Sequence, residues 1–184
     1  MKKIKTYFNV SIDGFWARVD GNIGWAAGYL PAGDPVFVDF LETIDSVLLS
    51  RRHYNRLQRE NLLWPFGERP LHVISRDRSF FPDDERVNIV PDNGGNGGTV
   101  YERIGMLCEE SGGGDIWLAG DHELISQLLE RGMVDEITLI VLPVTLGNGL
   151  PFLLGNSREN HWTLIESQQY DTGLVRLHYR KRNV

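Results

Sequence analysis

Residues 115–149, DIWLAGDHELISQLLERGMVDEITLIVLPVTLGNG, limit the folds open to this chain more than any other stretch. The apolar run Ile116-Trp117-Leu118-Ala119 predicts a buried strand, broken at Gly120-Asp121. Over 122–131, Leu124, Ile125, Leu128 and Leu129 recur at helical spacing, so one face is apolar and the other polar. Gly132 stops that helix, and residues 137–142 form a second apolar run ended by Pro143. Strand, glycine turn, helix and strand make a βαβ unit. Its turn leaves free backbone N–H groups at a helix N-terminus, a place for a phosphate.

The remaining segments extend the same alternation. A strand is expected over 3–12, followed by a turn at Ser11-Ile12-Asp13-Gly14, a short extension over 15–19, and a loop over 24–33. Asp34-Pro35 reads as an N-cap with proline at the first helical position, opening a helix through Phe37, Val38, Phe40, Leu41 and Ile44. Further strands are expected over 46–50, 71–75 and 87–90, with helices over 51–60 and 99–110. The run NGGNGG at 93–98 reads as flexible by composition, since it does not follow a strand and open a helix. Residues 162–170 and 174–179, joined by Asp171-Thr172-Gly173, read as a hairpin. The order predicts one α/β domain over 1–184: a mixed, mostly parallel central sheet flanked by helices on both faces, closed by an antiparallel C-terminal hairpin.

Composition narrows the function. No apolar run is long enough to span a membrane, and the basic start MKKIKTYFNVSIDG lacks the apolar core of a signal peptide, so a cytoplasmic protein is expected. A net charge of −6 argues against nucleic acid as a partner. The single Cys108 reads as a small buried thiol, His72 as structural, and His122 and His161 lack metal-ligand spacing, so no metal is expected.

Three strand ends run into polar or small residues: Ser50-Arg51-Arg52-His53, Ser75-Arg76 and Gly120-Asp121. In open α/β sheets ligands sit beyond the carboxyl ends of the strands, and the arginine fork suits phosphate. Each arginine alone reads more readily as a solvated helix residue, but three such ends together read as a nucleotide cradle. Trp25 and Trp64 lie in loops, where they could face a planar ligand.

Over about residues 3–180 these motifs resemble the dihydrofolate reductase-like fold, and more closely the C-terminal reductase domain of the bifunctional riboflavin biosynthesis protein. Ser11-Ile12-Asp13-Gly14 is similar to the family's Ser-x-Asp-Gly. Residues 47–54, VLLSRRHY, match an apolar strand followed by Gly-Arg-Lys-Thr-Tyr, and Val73-Ile74-Ser75-Arg76 matches Val-x-Ser-Arg. Residues 116–124 match Ile-Trp-x-x-Gly-Gly-x-x-Leu. Val134-Asp135-Glu136 followed by Pro143, Gly147 and Gly149 is the most specific match.

The resemblance implies a three-layer α/β reductase that uses NADPH and forms a homodimer. It implies that Arg51, Arg52, His53, Ser75 and Arg76 hold the 2′-phosphate and adenine side. It places Gly120, Asp121, His122, Glu123 and Leu124 at the pyrophosphate, and Trp16 and Ala17 beside the nicotinamide. Ser50, His53 and Asp121 depart from the family's glycine, threonine and second glycine; the carboxylate at 121 is expected either to compete with phosphate for the helix N–H groups or to turn away. On the substrate side, reduction of C=N or C=O needs a proton donor. Asp34 and Asp39 are the candidates, Asp34 reading first as a plain N-cap and Asp39 equally as a solvated helix residue. Asp13 and Arg69 are candidates for substrate binding, with a turn role and a surface role beside them. The implied reaction is reduction of a planar heterocycle, most like 5-amino-6-(5-phosphoribosylamino)uracil; dihydrofolate reduction and a non-catalytic nucleotide-binding relative are the alternatives.

Overall fold

The structure is a computed structural model that describes residues 1–29, 35–92, 98–120, 122–153, 155 and 158–182. Among these described residues ten strands and four α-helices follow in order: β1 (Ile4–Ser11), β2 (Phe15–Ala17), α1 (Pro35–Glu42), β3 (Ile44–Ser50), α2 (Arg51–Arg59), β4 (Leu71–Ser75), β5 (Val87–Pro91), α3 (Val100–Glu109), β6 (Asp115–Leu118), α4 (His122–Glu130), β7 (Glu136–Leu142), β8 (Leu150–Pro151), β9 (Trp162–Gln169) and β10 (Val175–Lys181). Eight strands form one sheet in the order β5-β4-β3-β6-β1-β7-β10-β9. The first six are parallel; β10 runs antiparallel to β7, and β9 to β10. This is the mixed, mostly parallel sheet with a closing hairpin that the sequence predicts.

Alternation along β1 explains the layers. Ile4, Phe8 and Val10 are buried on one face, against Ile104 of α3 and Leu124, Ile125 and Leu128 of α4. Tyr7 points to the other face, its ring 5.2 Å from both Phe37 and Phe40 of α1. There, Val47, Leu49 and Tyr54 complete a second core with Trp117. Helices therefore cover both faces of the parallel part. The hairpin is different: β9 is exposed from Thr163 to Gln169.

Local signals set the boundaries. Ser50 caps α2 by accepting from the His53 backbone N–H at 3.2 Å. Thr99 and Glu102 form a reciprocal capping box on α3. Gly132 (φ 65°) closes α4, with Gly132 N–H donating to Leu129 and Met133 N–H to Leu128, the paired bonds of a Schellman end. β3 starts two residues before the expected strand, because Ile44 and Ser46 pair with β6. Unforeseen was the two-stranded β2–β8 ribbon. Among the described residues no helix is long and apolar enough to cross a membrane.

Candidate functional site

The carboxyl ends of β1, β6 and β3 lie side by side, where strand order switches direction around β1. A cavity of about 370 Å³ opens there, lined chiefly by apolar groups of Tyr7, Phe8, Trp16, Ile23, Ala26 and Ala27, with Asn9, Gly120 and His122. A more polar cleft of about 620 Å³ adjoins it and shares Trp16 and His122. Its outer wall is α2, presenting Arg52, His53, Arg56 and Arg59, faced by Val19, Asp20 and Gly21. The result is one groove, apolar at β1 and cationic along α2. The Trp16 and His122 rings stand at the junction, 5.7 Å apart and tilted 47°.

His53 and Gly120 bring two of the three strand ends together. Gly120 has φ 58°, and a Cβ built there would lie well inside contact distance of the His53 imidazole. The ring therefore rests on the glycine that precedes α4, with the N-termini of α2 and α4 beside it. Helix N-termini favour anions through the helix dipole, although in α2 the Ser50 side chain already takes the His53 N–H. At the third end, Arg51 reaches Asp77 at 2.5 Å and lies over the Phe80 ring. Ser75 is buried and accepts from the Asp77 N–H, while Arg76 is 84% exposed and pairs with Asp92 at 2.7 Å. Hydrogen bonds from Ser79, and then from Arg51, hold the Asp77 carboxyl down to about 2. Arg52 stands 3.7 Å from Glu123 in a solvent-exposed pair.

Several expected site residues take other positions. Asp13 is spent as a clasp: its carboxylate accepts from Ser11 Oγ (2.6 Å), Leu146 N–H (3.1 Å) and Gly147 N–H (2.7 Å). The Ser11 hydroxyl, and then the loop N–H groups, hold its carboxyl below the usual aspartate range. Arg69 lies at the amino ends of the strands, away from the groove, and spends its guanidinium on the carbonyls of Leu41 (2.7 Å), Ile44 (2.8 Å) and Phe66 (3.2 Å). Asp39 sits on the exposed side of α1, because Phe37, Phe40 and Leu41 take the inner side. Ala17 and Leu124 are buried packing residues; neither lines the cavity. Asp34 and Asp121 lie outside the described residues. Cys108 is half-buried, and burial pushes its thiol up to about 11, which keeps it protonated and inert at neutral pH.

The segment 143–149 also finds its role. Through Asp13, the Ile12 N–H to Val144 carbonyl bond (2.9 Å) and the close fit of Gly149 on Ala17 and Phe15, it fixes β2, which carries Trp16. Sequence reasoning missed Asn9, Arg56 and Arg59. A polar residue near the end of a buried strand was the signal for Asn9. For the arginines it was spacing, since 52, 56 and 59 fall on one side of a helix.

A dinucleotide fits this groove by its chemistry. The apolar cavity suits a nicotinamide ring, and the polar cleft with two helix N-termini, His53 and Arg52 suits a pyrophosphate.

Comparison with known proteins bears on the family and the fold. Residues 105–176 match the family model of the RibD C-terminal domain. The Bacillus subtilis protein YwjB is 29% identical over 178 residues, covering 97% of each chain. A solved structure of a Shewanella sp. PV-4 protein named for riboflavin biosynthesis superposes with TM-score 0.83 at 21% identity, over the whole of both chains. Enterococcus faecalis dihydrofolate reductase, solved in complex with NADP(H), matches at TM-score 0.64 and 10% identity over 98% of this chain and 97% of that one. The chain thus carries the RibD C-terminal domain signature over residues 105–176 and has the dihydrofolate reductase-like fold throughout.

Proposed function

We propose that this protein is an NADPH-dependent reductase of a planar heterocycle, of the RibD type and most like 5-amino-6-(5-phosphoribosylamino)uracil reductase. The observation that carries the reading is the continuous groove, apolar at the end of β1 and cationic along α2, at the switch point of the sheet. NADPH would supply the hydride. The chain's own part is to exclude water from the ring with Tyr7, Phe8, Trp16 and Ile23, and to hold the phosphates with His53, Arg52 and the N–H groups opening α2 and α4. Arg51, Ser75 and Arg76 form the adenosine end of this reading. Asp34 remains our proposed proton donor, and His122 lines the cavity. A homodimer belongs to the same proposal, supported by β9, an edge strand exposed over most of its length and free of lysine and proline.

The test is thermal stability with NADPH and with NADH, for the wild type and Asp121→Gly, followed by NADPH oxidation against a panel of phosphoribosylated pyrimidines. At one hundred times Kd, binding adds about 2.7 kcal/mol, which raises Tm by roughly 5–11 °C for a chain of this size. No shift with either cofactor in either protein removes the reading. The second reading, a non-catalytic relative that keeps the nucleotide groove, is favoured by one observation: among the described residues no carboxyl group lines the apolar cavity. It predicts a full NADPH shift with no turnover. Dihydrofolate reduction loses support, because Arg69 is engaged with backbone carbonyls and is not available to a substrate carboxylate.

A further inference from the structure

The adenosine end of the groove carries carboxylates that a 2′-phosphate does not call for. It lies at the carboxyl ends of β3, β4 and β5, neighbours at one edge of the sheet. There, Arg51, Ser75 and Arg76 are all engaged with other groups. Arg51 pairs with Asp77 at 2.5 Å, and its guanidinium lies 4.9 Å from the centre of the Phe80 ring. Arg76 pairs with Asp92 at 2.7 Å. The Ser75 hydroxyl is buried and closed on the Asp77 backbone, donating to its carbonyl (3.2 Å) and accepting from its N–H (3.1 Å). Both carboxylates are fixed in place. Asp77 Oδ1 accepts from the Ser79 N–H (2.8 Å) and Ser79 Oγ (2.7 Å), which leaves Oδ2 for Arg51. Asp92 is tied to β4 by its own N–H, which donates to the Ser75 carbonyl at 2.9 Å.

We propose that Asp77, seconded by Asp92, is the cofactor-specificity residue of this chain and levels the choice between a phosphorylated and an unphosphorylated ribose. The two ligands meet opposite situations at this end. A 2′-phosphate has to draw Arg51 away from Asp77, and the carboxylate left behind repels it. A ribose 2′-hydroxyl donates a hydrogen bond to the same carboxylate, the pairing by which dinucleotide folds recognise the ribose of NAD, where arginine serves the phosphate of NADP. The protein therefore takes NADH no more than about threefold more weakly than NADPH. This rests on the dinucleotide groove of the proposed function and narrows its adenosine end; it is independent of which heterocycle is reduced.

The experiment is isothermal titration calorimetry of the full chain with NADPH, NADH, adenosine 2′,5′-bisphosphate and 5′-AMP, for the wild type, Asp77→Asn and Asp92→Asn. The two fragments differ only in the 2′-phosphate and isolate the adenosine end from the rest of the groove. In the wild type each phosphorylated ligand should bind within about threefold of its unphosphorylated counterpart. Asp77→Asn keeps the side chain's size and its acceptor for Ser79. It should tighten NADPH and the bisphosphate about tenfold, the worth of one charge-assisted hydrogen bond, without tightening NADH or 5′-AMP. The gain should shrink with added salt. Asp92→Asn should give about threefold through Arg76, which is 84% exposed, and serves should Asp77→Asn not fold. A wild type that favours NADPH by more than about threefold, or no gain for the phosphorylated ligands in the folded variants, overturns the proposal. Cofactor oxidation against the pyrimidine panel is recorded on the same samples. Level binding without turnover of either cofactor sinks the reductase reading alone. Turnover with a strong NADPH preference sinks this inference alone, and no binding of any of the four ligands sinks both.

Discussion

Gly120→Ala tests the junction between the two halves of the groove. Two separate effects oppose an alanine there. At φ 58° an L-residue is in the left-handed region, at about 1–2 kcal/mol relative to glycine. The new methyl would also overlap the His53 imidazole, which can move because it is the end of a side chain. The backbone cost therefore persists, while the overlap is relieved by the ring leaving its place. With about 2–4 °C of Tm per kcal/mol at this chain length, Tm should fall by roughly 2–8 °C. Loss of the imidazole from the pyrophosphate end should weaken NADPH by about ten- to a hundredfold, the worth of one charge-assisted hydrogen bond. The check is a double-mutant cycle by urea denaturation and NADPH titration, with His53→Ala as the second variant. In that background Gly120→Ala should keep its backbone cost and lose its further effect on cofactor affinity. Equal effects in both backgrounds, or an unchanged Tm in the single variant, would refute the contact and the reasoning from it.

Other outcomes follow from residues outside the groove. Arg69→Ala removes three bonds to partly buried carbonyls and should cost about 2–4 kcal/mol of stability by chemical denaturation, with KM for the heterocycle unchanged in the folded fraction. Asp13→Ala should lower Tm and raise proteolytic cleavage around 144–148, because Leu146 and Gly147 lose their anchor. Glu136 is buried among His178 (3.2 Å), Lys3 (2.8 Å), Arg180 (3.0 Å) and Lys5 (3.6 Å). The His178 hydrogen bond first, then those from Lys3 and Arg180, hold its carboxyl far below the ordinary 4.5. A depressed carboxyl adds stability above its unfolded value and loses it as pH falls. Stability of the wild type should therefore drop below about pH 4.5 more steeply than that of Glu136→Gln, as read from urea midpoints across pH. Parallel pH profiles would show that the cluster does not hold Glu136 ionised.

The sequence by itself determined the elements and the class of fold. Periodicity located the strands and helices to within a few residues, because each buries one predictable face: Leu124, Ile125, Leu128 and Leu129 of α4 all turned inward as their spacing required. Glycines at 120 and 132 marked turns because only glycine takes a positive φ without penalty. Local rules also marked Arg52, His53 and Gly120 as strand-end residues, and the fold brings His53 and Gly120 together.

What only the tertiary structure decided was how each polar side chain spends its hydrogen bonds. Asp13 and Arg69 carry the right chemistry for a substrate, yet their partners are backbone groups from distant segments, Leu146 and Gly147 for one and Leu41 and Ile44 for the other. No local pattern reveals such pairings. Asn9 shows the converse: in sequence it is one polar residue in a buried strand, and only packing brought it to the cavity with Trp16 and His122, with its carboxamide oxygen unpaired among the described residues. Periodicity reports which face a residue occupies, whereas a site depends on which groups remain to be satisfied once the chain has closed around them.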